Sequence, residues 1–125
     1  MRRLLILLAC LMALAACDRI QTPKAEFFNT DITGLDYANA FSLTDQNGQP
    51  RSLSDFKGKV VFVFFGYTHC PDICPTTLSE MVSIRKALGP DADRLQVLFI
   101  TLDPERDTPE LLASFVPAFD PSFIG

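Results

Sequence analysis

The sequence has little positive charge, and this shortage narrows the functions open to it. Its 125 residues contain 11 Lys and Arg against 15 Asp and Glu, and the formal net charge is −4. An acidic domain is a poor ligand for nucleic acid or for an anionic membrane face, because both carry negative charge. We therefore expect no nucleic-acid partner. The sequence also has no internal repeat, and at this length it holds one domain at most.

Long hydrophobic runs are missing as well. The apolar run from Leu4 to Ala13 is too short to cross a bilayer as a permanent helix, and it follows the positive pair Arg2 and Arg3. This arrangement is typical of an export signal. We interpret residues 1–16 as a signal peptide, residues 17–38 as a tether and residues 39–125 as the folded domain.

The leader ends with small residues directly before a cysteine, in the order Leu14-Ala15-Ala16-Cys17. This order resembles the lipobox of bacterial lipoproteins, in which the cysteine is acylated and becomes the first mature residue. The alternative is an ordinary cleaved signal with Cys17 merely nearby. The lipobox resemblance, with Asp18 next, implies a lipid-anchored protein on the periplasmic face of the bacterial inner membrane. Membrane contact would then come from the lipid and not from a basic patch.

Cysteines are few, and only Cys70 and Cys74 remain once Cys10 and Cys17 are assigned to the leader and the lipid anchor. In an exported protein such a pair is a redox couple, a metal clip or a structural disulfide. The structural disulfide is the least favoured, because so short a loop constrains the unfolded chain little. Soft thiolates favour Cu(I), and two thiolates with a histidine also suit Cu(II).

The hydrophobic pattern predicts an α/β fold, built from an N-terminal hairpin and a βαβ unit with parallel strands. The first strand of that unit is continuously apolar, which is typical of a strand buried on both faces. The cysteines follow this strand on the first turn of a helix, at the sheet edge where open α/β proteins bind ligands. Because this arrangement leaves a bare apolar edge, we interpret the domain as incomplete at its C-terminus. The predicted elements are a hairpin over Phe41–Leu53, strands at Val60–Phe65 and Leu95–Leu102, and helices at Pro75–Leu88 and Pro109–Val116.

Two sequence blocks carry a family resemblance. Residues 65–78, Phe-Gly-Tyr-Thr-His-Cys-Pro-Asp-Ile-Cys-Pro-Thr-Thr-Leu, resemble the signature of the SCO/SenC family. Residues 101–109, Thr-Leu-Asp-Pro-Glu-Arg-Asp-Thr-Pro, resemble its second block. The resemblance implies a thioredoxin-like, copper-binding protein that helps assemble the CuA centre of cytochrome c oxidase. It also implies that Cys70 and Cys74 ligate copper, and that the partners are the CuA subunit and other copper chaperones.

The candidate site departs from the family pattern at one ligand. The family's third copper ligand is a histidine further downstream, whereas the single histidine here, His69, matches the signature's own histidine. His69 is therefore either a substitute ligand or a partly exposed structural residue. Asp72 is expected to cap the helix or to hold the loop. Asp103 and Arg106 either support the site or form a surface ion pair.

Two function classes stay open. We favour a copper metallochaperone, which is not an enzyme in the turnover sense. The alternative is a thiol–disulfide oxidoreductase that acts on cysteines of an oxidase subunit. A peroxiredoxin-like peroxidase is disfavoured, because residues 63–70 lack the Pro-x-x-x-Thr-x-x-Cys context of its reactive cysteine.

Overall fold

The computed structural model describes residues 28–36 and 40–125. The predicted signal peptide and Cys17 lie outside the described residues, as does most of the predicted tether, so these assignments stay predictions. The chain divides into two units, Met1–Leu35 and Asp36–Gly125. In the described part of the first unit, a turn is closed by the Leu35 N–H, which donates to the carbonyl of Ile32 at 3.1 Å. Among the described residues, no helix has the length and apolar character that crossing a membrane requires.

The second unit contains a hairpin, a βαβ unit and a further helix. The hairpin comprises β1 and β2, and the parallel strands are β3 and β4, with α1 between them and α2 after them. A 3-10 helix precedes β3, and a second one precedes β4. The bounds are β1 Ser42–Thr44, β2 Pro50–Ser52, 3-10 helix Leu53–Phe56, β3 Val60–Gly66, α1 Ile73–Leu88, 3-10 helix Gly89–Arg94, β4 Leu95–Thr101 and α2 Pro109–Phe115.

The predicted hairpin is confirmed, and a buried carboxylate closes its turn. Strands β1 and β2 pair antiparallel with Leu43 opposite Arg51. The side chain of Asp45 accepts hydrogen bonds from the N–H groups of Asn47 (2.8 Å) and Gln49 (2.9 Å) and from Arg51 Nε (2.8 Å). Gly48 has a φ of 75°, a value that a glycine adopts at no steric cost. Local turn chemistry therefore accounts for this element.

The parallel βαβ unit is also confirmed, with β3 and β4 in register from Val60 opposite Leu95 to Gly66 opposite Thr101. The expectation that β3 is buried on both faces is wrong. Phe62 and Phe64 pack against the core, whereas Val63 and Phe65, on the opposite face, are 37% and 58% exposed. Among the described residues β3 pairs with β4 alone.

Strand β4 is the one buried on both faces. Val97 and Phe99 lie in the hydrophobic core, and Leu98 on the opposite face is only 4% exposed. On the edge of β4 away from β3, Ile124 forms a parallel bridge to Leu98, with the Phe99 N–H donating to the Ile124 carbonyl at 2.8 Å. Pairing on both edges explains why β4, and not β3, has the interior position.

The core joins the inner face of the sheet to both helices. The ring of Phe99 lies 5.9 Å from that of Phe64 and 5.9 Å from that of Phe115, measured between centroids. One of the two candidate site cysteines belongs to this core. The buried members of the hydrophobic core are Cys74, Leu78, Met81, Leu95, Val97, Phe99, Leu112, Val116 and Phe123.

Candidate metal and redox site

The two cysteines lie where β3 ends and α1 begins. The helix starts at Ile73, two residues earlier than predicted, so Cys74 is in its first turn, whereas Cys70 is in the preceding loop. The expectation that both cysteines lie on one helical turn is therefore wrong. They are nevertheless brought together, because the backbone N–H of Cys74 donates to Cys70 Sγ at 3.4 Å.

The two thiols are both free, and they have unequal surroundings. Cys70 is partly exposed, and Cys74 is only 4% exposed. Hydrogen bonds from the Cys74 thiol, and then from the Cys74 backbone N–H, lower the pKa of Cys70. Burial, together with the hydrogen bond to Cys70, raises the pKa of Cys74. The accessible sulfur is therefore the one that ionises more readily, as a nucleophile or a metal ligand requires.

Gly66 permits the close packing beneath the dithiol. A Cβ atom at this position would lie 2.9 Å from Phe99 Cε2, 3.0 Å from Cys74 Sγ and 3.0 Å from Phe64 Cε1. These separations are shorter than an ordinary carbon contact of about 3.5–4.0 Å. The last residue of β3 must therefore lack a side chain for Cys74 to occupy its place in the core.

A buried carboxylate, Asp107, joins the two sequence blocks. Asp107 is 3% exposed and accepts hydrogen bonds from the Thr68 N–H (2.9 Å), Thr68 Oγ1 (2.6 Å) and Thr101 Oγ1 (2.6 Å). Burial alone would raise its pKa, but the hydrogen bonds from Thr101 and Thr68 hold the pKa below the usual value. Asp107 was not among the site residues predicted from the sequence, whereas its neighbours Asp103 and Arg106 were.

Those neighbours, Asp103 and Arg106, pair with each other. The side chain of Arg106 is 64% exposed, so this contact is the surface ion pair that was one of the two expectations. The sequence nevertheless contained a signal for Asp107. This residue comes soon after β4, and the carboxyl ends of the parallel strands β3 and β4 meet at the same sheet edge.

The remaining candidates lie at the rim of the site. The exposed His69 has its Nδ1 atom 3.1 Å from Thr68 Oγ1. No cluster of three or more His, Cys, Asp or Glu side chains able to hold a metal ion exists among residues 28–36 and 40–125. His69 is therefore not joined to the two cysteines as a preformed third ligand. Asp72 is the N-cap residue, and its carboxylate accepts a hydrogen bond from Thr76 Oγ1 at 3.4 Å without bonding the helix backbone.

An α/β unit with two free cysteines at a strand-to-helix junction defines a class of protein, the thioredoxin-like proteins. Within that class, residues 29–125 match the sequence profile of the SCO1/SenC family. The chain belongs to the SCO1/SenC family.

Individual relatives agree with this assignment. The chain is 37% identical over 121 residues to an SCO2-like protein of Rickettsia typhi, a match that covers 97% of this chain and 60% of that protein. Among solved structures, Bradyrhizobium japonicum ScoI with copper bound has a TM-score of 0.64 and 49% identity, covering 69% of this chain and 55% of the other. A SCO1/SenC family lipoprotein from Bacillus anthracis has a TM-score of 0.60 and 30% identity, covering 68% and 52%. The chain thus spans about 60% of the length of the Rickettsia relative, and the thioredoxin-like fold of the family is that of its described residues.

Proposed function

We propose that the protein is a copper-binding chaperone in which Cys70 and Cys74 hold the metal as cargo. The observation that carries the proposal is the meeting of two free thiols at one corner of the fold, with the Cys74 N–H donating to Cys70 Sγ. Thiolates are soft ligands, and Cu(I) is a soft cation. Family membership and the copper-bound ScoI relative support the choice of metal.

The donor set fits Cu(I) better than a harder ion. Loading would replace the two thiol protons by the metal, and the lowered pKa of Cys70 makes the first replacement easier. Asp72 and Asp103 offer only carboxylate oxygen, which suits Mg²⁺ or Ca²⁺. Within the described part of the chain these carboxylates form no ligand cluster with the sulfurs. The two sulfurs are therefore the resident ligands that we assign among the described residues.

Family membership also supports the wider role. We propose that the copper is destined for the CuA centre of cytochrome c oxidase, so that the partners are the CuA subunit and other copper chaperones. We also propose, from the leader, a location on the periplasmic face of the inner membrane, held by lipid on Cys17. The Bacillus anthracis relative, a lipoprotein, supports the lipid anchor. Labelling of cells with a radioactive fatty acid, compared between the wild type and Cys17→Ser, tests the anchor. Label on the wild type alone is the expected result.

Anaerobic titration with Cu(I) in competition with a coloured chelator tests the metal site. We expect one Cu(I) per chain, with binding reduced by at least about 10-fold in Cys70→Ser and in Cys74→Ser, the scale on which loss of supporting groups already weakens metal sites. The matched control is Cys17→Ser, which replaces a cysteine outside the site and leaves Cys70 and Cys74 intact. Equal binding by the control and by the site variants would refute the proposal.

The unequal exposure of the two thiols favours a second candidate, a thiol–disulfide oxidoreductase. The Cys70 thiolate would attack one sulfur of a partner disulfide and release the other partner sulfur as a thiolate. The Cys74 thiolate would then attack Cys70 Sγ, so that the partner leaves as a dithiol and Cys70–Cys74 becomes a disulfide. An external thiol reductant would restore the pair. Copper-independent reduction of a disulfide peptide, abolished in Cys70→Ser, is the result that would favour this candidate over the chaperone.

A further inference from the structure

Three side chains next to the cysteines form a continuous chain of hydrogen bonds. Thr68 Oγ1 donates to Asp107 Oδ1 at 2.6 Å, and the same oxygen lies 3.1 Å from His69 Nδ1. The Asp107 carboxylate is buried, Thr68 is partly buried and His69 is exposed. This series of hydrogen bonds thus runs from the interior to the surface, and it ends at His69, one residue before Cys70.

The number of protons available determines the direction of each bond. A threonine hydroxyl has one proton, and Thr68 gives it to Asp107, which accepts from all its partners as an ionised carboxylate does. Thr68 Oγ1 can then only accept from His69, so the proton of the neutral imidazole is on Nδ1. Because a neutral imidazole has a single ring proton, Nε2 retains a free lone pair.

A free Nε2 lone pair on an exposed ring is a ligand for copper, since imidazole binds this metal well. It does not complete a three-ligand site, because His69 is not clustered with the two sulfurs in the described part of the chain. A ligand that lies beside a site, without belonging to it, is suited to an earlier stage of binding.

We propose that His69 Nε2 is the capture ligand, which binds incoming Cu(I) before the two sulfurs do. Asp107 and Thr68 act as positioning residues that hold His69 in the Nδ1–H tautomer. The step is a ligand exchange without redox change: the Cu–N bond breaks as bonds to Cys70 and Cys74 form, and the thiol protons pass to solvent. This proposal rests on the copper-binding function proposed above.

The tautomer can be measured on the metal-free protein, without any copper activity. In ¹⁵N-edited NMR of the full chain, we expect the His69 ring of the wild type to carry its proton on Nδ1. Thr68→Val removes the hydroxyl and is expected to release the ring into a mixture of tautomers, whereas Thr68→Ser keeps the hydroxyl and the wild-type signal. A wild-type ring protonated on Nε2, or an unchanged tautomer in Thr68→Val, overturns the positioning roles.

The capture role is tested by the rate of Cu(I) transfer from a bicinchoninate complex, followed anaerobically by loss of its colour. His69→Gln fills similar space without a basic nitrogen, and we expect it to slow transfer on the order of 10-fold, about 1.36 kcal/mol in activation free energy. The equilibrium affinity should stay unchanged.

The outcomes separate this inference from the function on which it rests. An unchanged rate in His69→Gln overturns the capture role and leaves copper binding by the cysteines standing. A loss of affinity as large as the loss of rate makes His69 a resident ligand and overturns the capture role as well. Absence of Cu(I) binding by the wild type instead refutes the proposed function itself.

Discussion

The packing around Gly66 predicts the effect of adding one methyl group under the dithiol. In Gly66→Ala the new Cβ would meet Phe99 Cε2 at 2.9 Å and Cys74 Sγ at 3.0 Å. Such crowding in a packed core costs about 1–3 kcal/mol of folding free energy. Alanine also restricts the unfolded chain relative to glycine, which returns about 0.4–1 kcal/mol. We therefore expect a net loss of roughly 0.5–2 kcal/mol.

Urea unfolding followed by circular dichroism measures this loss, and a second substitution identifies its cause. Phe99→Leu removes the ring that the new methyl group would meet, so the double variant Gly66→Ala/Phe99→Leu should be more stable than the two single losses predict. Residues in direct contact commonly show such coupling at about 0.5–3 kcal/mol. Wild-type stability of Gly66→Ala would show that the site tolerates the added methyl group. Strict additivity in the double variant would show that the contact with Phe99 does not cause the loss.

Three further predictions concern other parts of the fold. Hydrogen bonds hold the pKa of Asp45 below its usual value against the effect of burial, so this carboxylate stabilises the hairpin above the unfolded pKa of about 3.9. The stability difference between wild type and Asp45→Asn should shrink as the pH falls through the lower folded pKa, and a difference that is constant between pH 7 and pH 2 contradicts this. Thr108 Oγ1 accepts a hydrogen bond from the Leu111 N–H at 3.3 Å and so caps α2. Thr108→Ala should therefore lower the free energy of unfolding by about 1 kcal/mol, and Thr108→Ser by much less. Equal losses for the two variants in urea unfolding would exclude the cap. Val63 on the outer face of β3 is 37% exposed whereas Val97 of β4 is 1% exposed, so Val63→Ala should cost less stability in urea unfolding than Val97→Ala. Equal losses would contradict the difference in burial between the two positions.

Elements with local signals could be predicted from the sequence. The Asn47-Gly48 turn is formed by neighbouring residues, and so is the cap of α2 at Thr108. The parallel pairing of β3 and β4 follows from a strand, a helix and a second strand in succession. In each case the interacting residues are close in sequence, so the pattern contains the information needed to predict the element.

Burial could not be predicted in the same way. Strand β3 is at least as apolar as β4, yet only β4 is buried on both faces, and only β4 has the distant residue Ile124 paired with its second edge in the described part of the chain. Nothing in the residues of β3 distinguishes it from an interior strand. The difference depends on where a distant segment packs, which hydrophobic periodicity does not report.

The two sulfur atoms of the candidate site could be predicted from the sequence. Their burial and the hydrogen bonds of the neighbouring loops could not. The spacing and resemblance of Cys70 and Cys74 selected the sulfurs, but their different burial arises from packing of α1 on the sheet. The carboxylate of Asp107 is 39 residues from its partner Thr68, and its role depends on the two loops meeting at one sheet edge. The pair predicted from the sequence, Asp103 and Arg106, lies at the surface instead.

Cys74 is both a proposed copper ligand and a member of the hydrophobic core, and this double membership links metal supply to the lifetime of the protein. A ligand bound only by the folded state stabilises it by about 2.7 kcal/mol when present at 100 times its dissociation constant. Changes of about 1–2 kcal/mol are enough to alter the cellular abundance of a protein several-fold, because proteases remove unfolded chains. Under the proposed function, copper-starved cells would contain less of this protein, and its abundance would follow the copper available to be carried.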